Sequence, residues 1–334
     1  MLSRRNLLKA LGSALLAAAG GASLWRISRG RKGSEVAAPP DPPTPSTPLL
    51  SFWLLSDIHM NADNADLAEK LQMAMQDIAH FQLRPDTIVL GGDLVDGGRE
   101  ADYQRLSAIM SPYKLPKLYG LMGNHEYYHI HYNPAGDWST ATTPNGKTDA
   151  QARERFMRFM GYPERTYHDT WVNGVHLIML SQETYVEERP AVGEGAWYSD
   201  AQLAWLEETM RPHADGKPAF VFIHQPLPPA GSDGGTHRLM RAKEFRAILE
   251  PYRNVLVFSG HTHRNLETEG RYVKDTTFHW FSNASVGKTR AGGSVPNPVQ
   301  GLYVQVFPDQ VVVRGREFSN RTWISVAEWA VKLT

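Results

Sequence analysis

The 334-residue chain has no cysteine, which excludes disulfides, thiolate metal ligands and a thiol nucleophile. It has no charge excess either. Lys plus Arg and Asp plus Glu each number 35, so the balance lacks the surplus positive charge that general nucleic-acid binding needs. That balance hides an asymmetry: residues 1–48 hold seven basic and two acidic side chains, which leaves 28 basic against 33 acidic and makes the remainder mildly acidic. Long apolar runs are scarce too. The stretch of Leu, Ala and Gly after Lys9, roughly 16 to 18 residues, is marginal for crossing a bilayer.

The start nevertheless carries a pattern. SRRNLLK, from Ser3, resembles the twin-arginine export signal, a polar residue and two arginines ahead of hydrophobic residues and a lysine. Ala17, Ala18 and Ala19 offer a small-residue cleavage site, whereas Arg26, Arg29, Arg31 and Lys32 favour the cytoplasmic side, so a cleaved signal and an uncleaved anchor both stay open. The expectation is an exported protein, periplasmic or anchored facing the outside of the cytoplasmic membrane, with the export machinery as a partner. PPDPPTPSTP, residues 39–48, reads as an extended spacer. The expected organisation is a leader or anchor over 1–30, a linker over 31–48, a catalytic domain over 49–320 and a tail over 321–334.

From Leu50 the pattern becomes regular. SFWLLSDIH precedes a helical stretch with Leu67, Leu71, Met75 and Ile78 at helix spacing; TIVLGGDLVDGG, a second helical segment ADYQRLSAIM and KLYGLMGNHE follow, an α/β alternation. The apolar runs are short and fully hydrophobic, as strands covered on both faces should be. Their ends share a chemistry. Asp57 and His59 follow FWLLS, Asp93 follows IVLGG, Asn124 and His125 follow LYGLMG, His224 follows AFVFI, and His261 and His263 follow VLVFSG. Open sheets gather ligands at the carboxyl ends of strands, so these residues would converge on one crevice.

The residue types fit a pair of divalent ions. Such a pair needs a carboxylate able to bridge, which Asp93 can be, and neutral donors that complete each shell without overcharging it, which Asn124 and the histidines supply. Oxygen and imidazole donors favour Mn, Fe or Zn over copper(I). Gly91, Gly92, Gly123 and Gly260 are expected to let the backbone turn sharply so that the ligands face inward.

Taken together, D57-x-H59, G92-D93, G123-N124-H125-E126, H224 and G260-H261-T262-H263 resemble the calcineurin-like metallophosphoesterase family over residues 50 to about 283. The resemblance implies a two-sheet β-sandwich flanked by helices, the four-layer αββα form of the α/β class. It implies two divalent ions, one held by Asp57, His59 and His263, the other by Asn124, His224 and His261, with Asp93 shared. It implies in-line attack on a phosphate-ester small molecule by a metal-bridging hydroxide. His125 would assist the leaving oxygen, with Asp57 or Asp93 orienting its ring. A phosphodiesterase and a phosphomonoesterase share all these residues. A non-catalytic interaction module on the same fold is the alternative, against which the complete ligand set and His125 weigh.

Outside the motifs, an insertion over about 127–165 holds Tyr127, Tyr128, His129 and His131, which either contact substrate or pack the loop. Arg264 either pairs with phosphate or forms a surface ion pair. A hairpin is expected at Asn173-Gly174, and strands after GHTH. TWISVAEWAVKL has Trp323, Trp329 and aliphatics at near-helical spacing, for docking on the body or touching a membrane surface. His80, His168, His176, His213, His237 and His279 are expected to be structural or solvated.

Overall fold

The computed structural model describes residues 47–139, 145–275 and 277–334; the paired arginines and all but the last two residues of the proline-rich spacer lie outside the described residues. Strand β1, Leu50–Leu55, is buried throughout, and its side chains divide between two cores, Phe52 and Leu54 on one face and Trp53 and Leu55 on the other. That division recurs along the chain and produces the layers.

Strands β2 (Thr87–Leu90) and β3 (Leu118–Gly120) continue parallel to β1, through helices α1 (Ala65–Ala79) and α2 (Glu100–Met110). Asn64 starts α1 by accepting the N–H groups of Asp66 and Leu67. Leu71, Met75 and Ile78 then face the outer side of the sheet. Three late strands, β10 (Gln300–Val306), β11 (Gln310–Glu317) and β12 (Thr322–Lys332), extend it antiparallel on the other side, in the order β12-β11-β10-β1-β2-β3.

After helix α3 (Asp149–Met160) comes a second six-stranded sheet, β4 (His168–Val172), β5 (Val175–Met179), β6 (Ala219–Phe222), β7 (Val255–Ser259), β8 (Tyr272–Lys274) and β9 (His279–Ser282), ordered β4-β5-β6-β7-β9-β8. Its first two strands form the hairpin expected at Asn173-Gly174, and β5, β6, β7 and β9 run parallel. Phe220, Phe222 and Phe258 meet Phe52 edge-on between the sheets. Helices α4 (Asp200–Met210) and α5 (Ala242–Leu249) cover the outer face through Leu203, Leu206 and Phe245. The result is the two-sheet sandwich flanked by helices that the sequence leads one to expect, with both parallel sets ending at the same rim.

The near-helical reading of TWISVAEWAVKL is corrected: these residues are β12, an edge strand. A register shift between Arg314 and Gly315 adds residues to β12, so the inward positions Ile324, Ala327 and Val331 fall three and four apart and imitate a helix. Trp323 stacks on Trp53, and Trp329 packs against Phe281 and Tyr272, so both indoles dock on the body.

This late sheet half is locked to α1 by a bidentate buried pair, Arg316 Nε and Nη2 donating to Asp77 Oδ2 and Oδ1 at 2.7 and 2.9 Å. Asp77→Ala leaves the guanidinium buried without a counter-charge and should cost about 3–5 kcal/mol. Urea unfolding checks this, and a loss under about 1 kcal/mol would mean that water reaches Arg316.

Candidate metal centre

Five residues expected as ligands have backbone angles that side-chain-bearing residues seldom adopt. Asp57, His59, Asp93, His261 and His263 have φ between 51° and 66°, among only eight such non-glycine residues in the described chain. Each sits just past the end of β1, β2 or β7, where the left-handed turn swings the side chain over the rim. Asp, Asn and His tolerate this region best, yet each instance costs on the order of 1 kcal/mol, and such outliers gather at functional sites.

The glycines act differently from expectation. Only Gly92 of the four has a positive φ. Gly123 and Gly260 are needed for close approach: a Cβ on Gly123 would stand 2.3 Å from Asp93 Oδ1, and one on Gly260 would stand 2.5 Å from Asp57 Oδ2.

The turns bring the expected ligands into two groups that share one carboxylate. Asp57, His59, Asp93 and His263 place ligand atoms within 4.8 Å of one another, and so do Asp93, His224 and His261. In the first group Nε2 of His59 and Nε2 of His263 face each other at 2.8 Å, with Asp57 Oδ1 3.1 Å from the latter. In the second, His224 Nε2 lies 3.1 Å from Asp93 Oδ2, buried and without a hydrogen-bonded partner. Asn124 joins through its Oδ1, 3.0 Å from His261 Nδ1.

In His59 and His224 the far side of the ring is committed elsewhere, which fixes the atom offered to the centre. His59 donates Nδ1–H to Asp96 Oδ1 (3.2 Å) and His224 donates Nδ1–H to the Gly91 carbonyl (2.9 Å), so both present Nε2. Asn124 donates its Nδ2–H to Glu194 Oε2 (2.6 Å), which turns its carbonyl oxygen inward. Lone pairs and carboxylate oxygens thus converge, a donor set that fits hard or borderline divalent ions.

The charges agree with that reading. Burial, and then the nearby His125, lower His59 to about 3; burial and His224 lower His261 to about 4, so both rings are neutral donors. Burial opposes a charge on His224, but Asp93 and Asp57 outweigh it and raise this ring to about 10. A proton there does what a cation would do, so metal loading should displace it. Asp93 is held well below the usual carboxylate range, because His224 and His125 outweigh its burial.

His125 stands beside the groups, its backbone N–H donating to Asp93 Oδ1 at 2.9 Å. The sequence pointed to Asp57 or Asp93 as the partner of its ring; the structure places Asp96 there. Ring Nδ1 donates to the Asp96 carbonyl at 2.8 Å and lies 3.4 Å from that residue's Oδ1. Burial works against protonating His125, yet Asp93 and Asp96 more than offset it and its pKa is raised.

Several residues here escaped sequence reasoning. Asp96 contacts His59, His125 and the Lys288 ammonium. Its signal was a carboxylate three residues past Asp93, passed over because it ends no apolar run. Glu194 lies in the loop before α4 and had no local signal. Glu126, read only as the last letter of GNHE, is wholly buried and accepts the N–H groups of Asp93, Leu94 and Gly123 at 3.1, 2.7 and 2.6 Å. It ties the turn after β2 to the turn after β3. His237, expected to be structural or solvated, has its ring 6.4 Å from that of His261.

Not every candidate reaches the rim. Tyr127 is fully buried with its hydroxyl on the Gln182 carbonyl (2.7 Å), a core residue with no surface for a substrate. Tyr128 lies on the His125 ring at 3.8 Å between centroids and donates to Glu194. His131 is buried against Tyr185, and half-buried His129 neighbours Tyr132. Arg264 is exposed and donates to the Glu269 carbonyl in its own loop.

Fold and site together define a class, the two-sheet hydrolases that gather divalent ions at converging strand ends. The model of the calcineurin-like phosphoesterase family matches residues 50–265, and the chain belongs to that family, which hydrolyses phosphoester bonds. It is 31% identical over 300 residues to a cAMP/cGMP dual specificity phosphodiesterase of Mycobacterium tuberculosis, covering 81% of this chain and 79% of that one. It is 26% identical over 229 residues to the glycerophosphodiester phosphodiesterase GpdQ of Enterobacter lignolyticus, covering 66% of this chain and 68% of that one. Among solved structures, a dimetal phosphatase from Danio rerio shares the fold with a TM-score of 0.63 at 14% identity, over 86% of this chain and all of that one.

Asp96→Asn keeps the shape and the main-chain carbonyl that holds His125, and removes the side-chain charge that orients His59. Affinity for the ion at the first group should fall about 10-fold to 100-fold with the circular dichroism unchanged. Metal titration of the two proteins checks this, and equal affinities would remove Asp96 from the site.

Proposed function

We propose that the chain hydrolyses a small phosphodiester with two divalent ions, Mn, Fe or Zn, one held by Asp57, His59, Asp93 and His263 and the other by Asp93, Asn124, His224 and His261. One observation carries this reading: the two ligand groups meet at a single buried carboxylate, Asp93. Ions bound there supply Lewis acidity toward the phosphoryl oxygens and the attacking water. That both relatives above are phosphodiesterases supports a diester over a monoester.

The protein's own part is orientation and proton supply. Glu126 fixes two turns and Glu194 fixes the Asn124 amide, so the ligand atoms are in place before a substrate arrives. With Nδ1–H held by the Asp96 carbonyl, His125 has Nε2 available to the leaving oxygen. Tyr128 packed on the ring limits its rotation. A non-catalytic module would have no use for a ring so prepared.

His125→Ala should retain metal and slow turnover by about 100-fold to 10,000-fold, most for poor leaving groups. Rates on bis-p-nitrophenyl phosphate, p-nitrophenyl phosphate and an alkyl diester measure this. Faster turnover of the monoester by wild-type protein would reverse the diester assignment, and equal losses on good and poor leaving groups would assign His125 to charge stabilisation.

The leader supports a second proposal, that the protein is exported through the twin-arginine route and works in the periplasm or anchored on the outer side of the cytoplasmic membrane. No helix among the described residues is long and apolar enough to cross a membrane. Twin-arginine export carries folded proteins, so the ions would be loaded beforehand. Replacing Arg4 and Arg5 together with Lys should leave the protein in the cytoplasm on fractionation; undiminished export would reject the route.

A further inference from the structure

The start of α3 gathers oxygen ligands that the metal centre does not use. Asp149, Glu187 and Glu188 bring carboxylate oxygens within 4.8 Å of one another. Asp149 is fully buried; its Oδ2 accepts the N–H groups of Tyr185 (2.5 Å) and Glu188 (3.2 Å), while its Oδ1 is buried with no hydrogen-bonded partner. A buried carboxylate oxygen without a donor, beside two further carboxylates, lacks positive charge.

The surroundings supply some of it. Arg153 donates to both oxygens of Glu188, Nη1 to Oε2 at 2.9 Å and Nη2 to Oε1 at 2.7 Å. The first N–H of α3, that of Asp149, donates to Glu187 Oε2 at 3.0 Å, and a helix N-terminus amounts to about half a positive charge. Against three carboxylates this leaves the cluster with a negative excess, and burial together with the Glu188 and Glu187 charges raises the Asp149 pKa.

We propose that Asp149, Glu187 and Glu188 bind a calcium ion, distinct from the ions of the metal centre. The donors are all oxygens, with no imidazole or thiolate, which selects a hard cation. Glu187 and Glu188 are exposed, so water can complete the six to eight oxygens that calcium accepts in irregular geometry. Magnesium demands near-ideal octahedral geometry, which one buried carboxylate and a glutamate already shared with an arginine do not provide.

The ion would reach the metal centre through one loop. Tyr185, whose N–H binds Asp149, donates its hydroxyl to Glu194 Oε1 at 2.8 Å, and Glu194 Oε2 holds the Asn124 amide. Calcium at the start of α3 would fix the loop that orients Asn124.

Equilibrium dialysis of the full-length protein against radiolabelled calcium, with equimolar magnesium in a parallel series, tests this. The expected result is a single calcium per chain with a Kd of about 0.01–1 mM. It should be retained in Asp93→Ala, weakened at least about tenfold in Glu187→Gln, and not displaced by equimolar magnesium. Glu187 is exposed and its glutamine keeps an acceptor for the helix N–H, so that variant does not threaten the fold. No binding below 1 mM, calcium lost with Asp93→Ala, unchanged affinity in Glu187→Gln, or equal competition by magnesium would each overturn the assignment.

Discussion

Two buried carboxylates, Asp57 and Asp93, stand at the rim where the sheets meet, and neither can hold its charge there without positive charge beside it. The rest of the site answers that constraint. His224 lies within 3.9 Å of Asp57 Oδ1 and 3.1 Å of Asp93 Oδ2, and the two carboxylates together raise its pKa. His59 and His261 stay neutral and offer lone pairs, which suits them to cations. Glu126 adds a third buried carboxylate, whose oxygens accept backbone N–H groups and fasten the turns; burial and the Asp93 charge outweigh those bonds and raise its pKa to about 7.

Holding that arrangement needs a rigid frame. Five expected ligands in left-handed backbone conformations together cost an amount comparable to the net stability of an ordinary domain. The core between the sheets, with Phe52, Phe220, Phe222 and Phe258 at its centre, offsets this through burial that does not depend on the turns. Because β1, β2, β3, β6 and β7 are fixed by that core, their ends cannot drift, and the shapes that the ligands need are imposed on them.

Much of this was legible in the amino-acid order, and the reason is periodicity. Short apolar runs ending in Asp, Asn or His announced both the strands and the side chains that converge at their ends, since side chains at strand ends are placed by the strand itself. What escaped depended on contacts across the fold. Glu194 is 70 residues from Asn124, and the role of Asp96 follows from where His59 and His125 point, which no spacing encodes. Tyr127 and Tyr128 were indistinguishable in sequence, yet one faces the core and the other the histidine. The edge strand β12 was hidden because a register shift gave it a helix-like period. Gly123 and Gly260 were rightly singled out for the wrong reason: they make room for neighbouring carboxylates, while the ligands adopt the unusual angles themselves.

In the proposed centre one carboxylate, Asp93, serves two ions. Elemental analysis of purified wild-type protein beside Asp93→Ala addresses it most directly. Close to two transition-metal ions per chain are expected in the wild type and essentially none in the variant. A variant that keeps both ions, or a wild type that holds at most one, would contradict this.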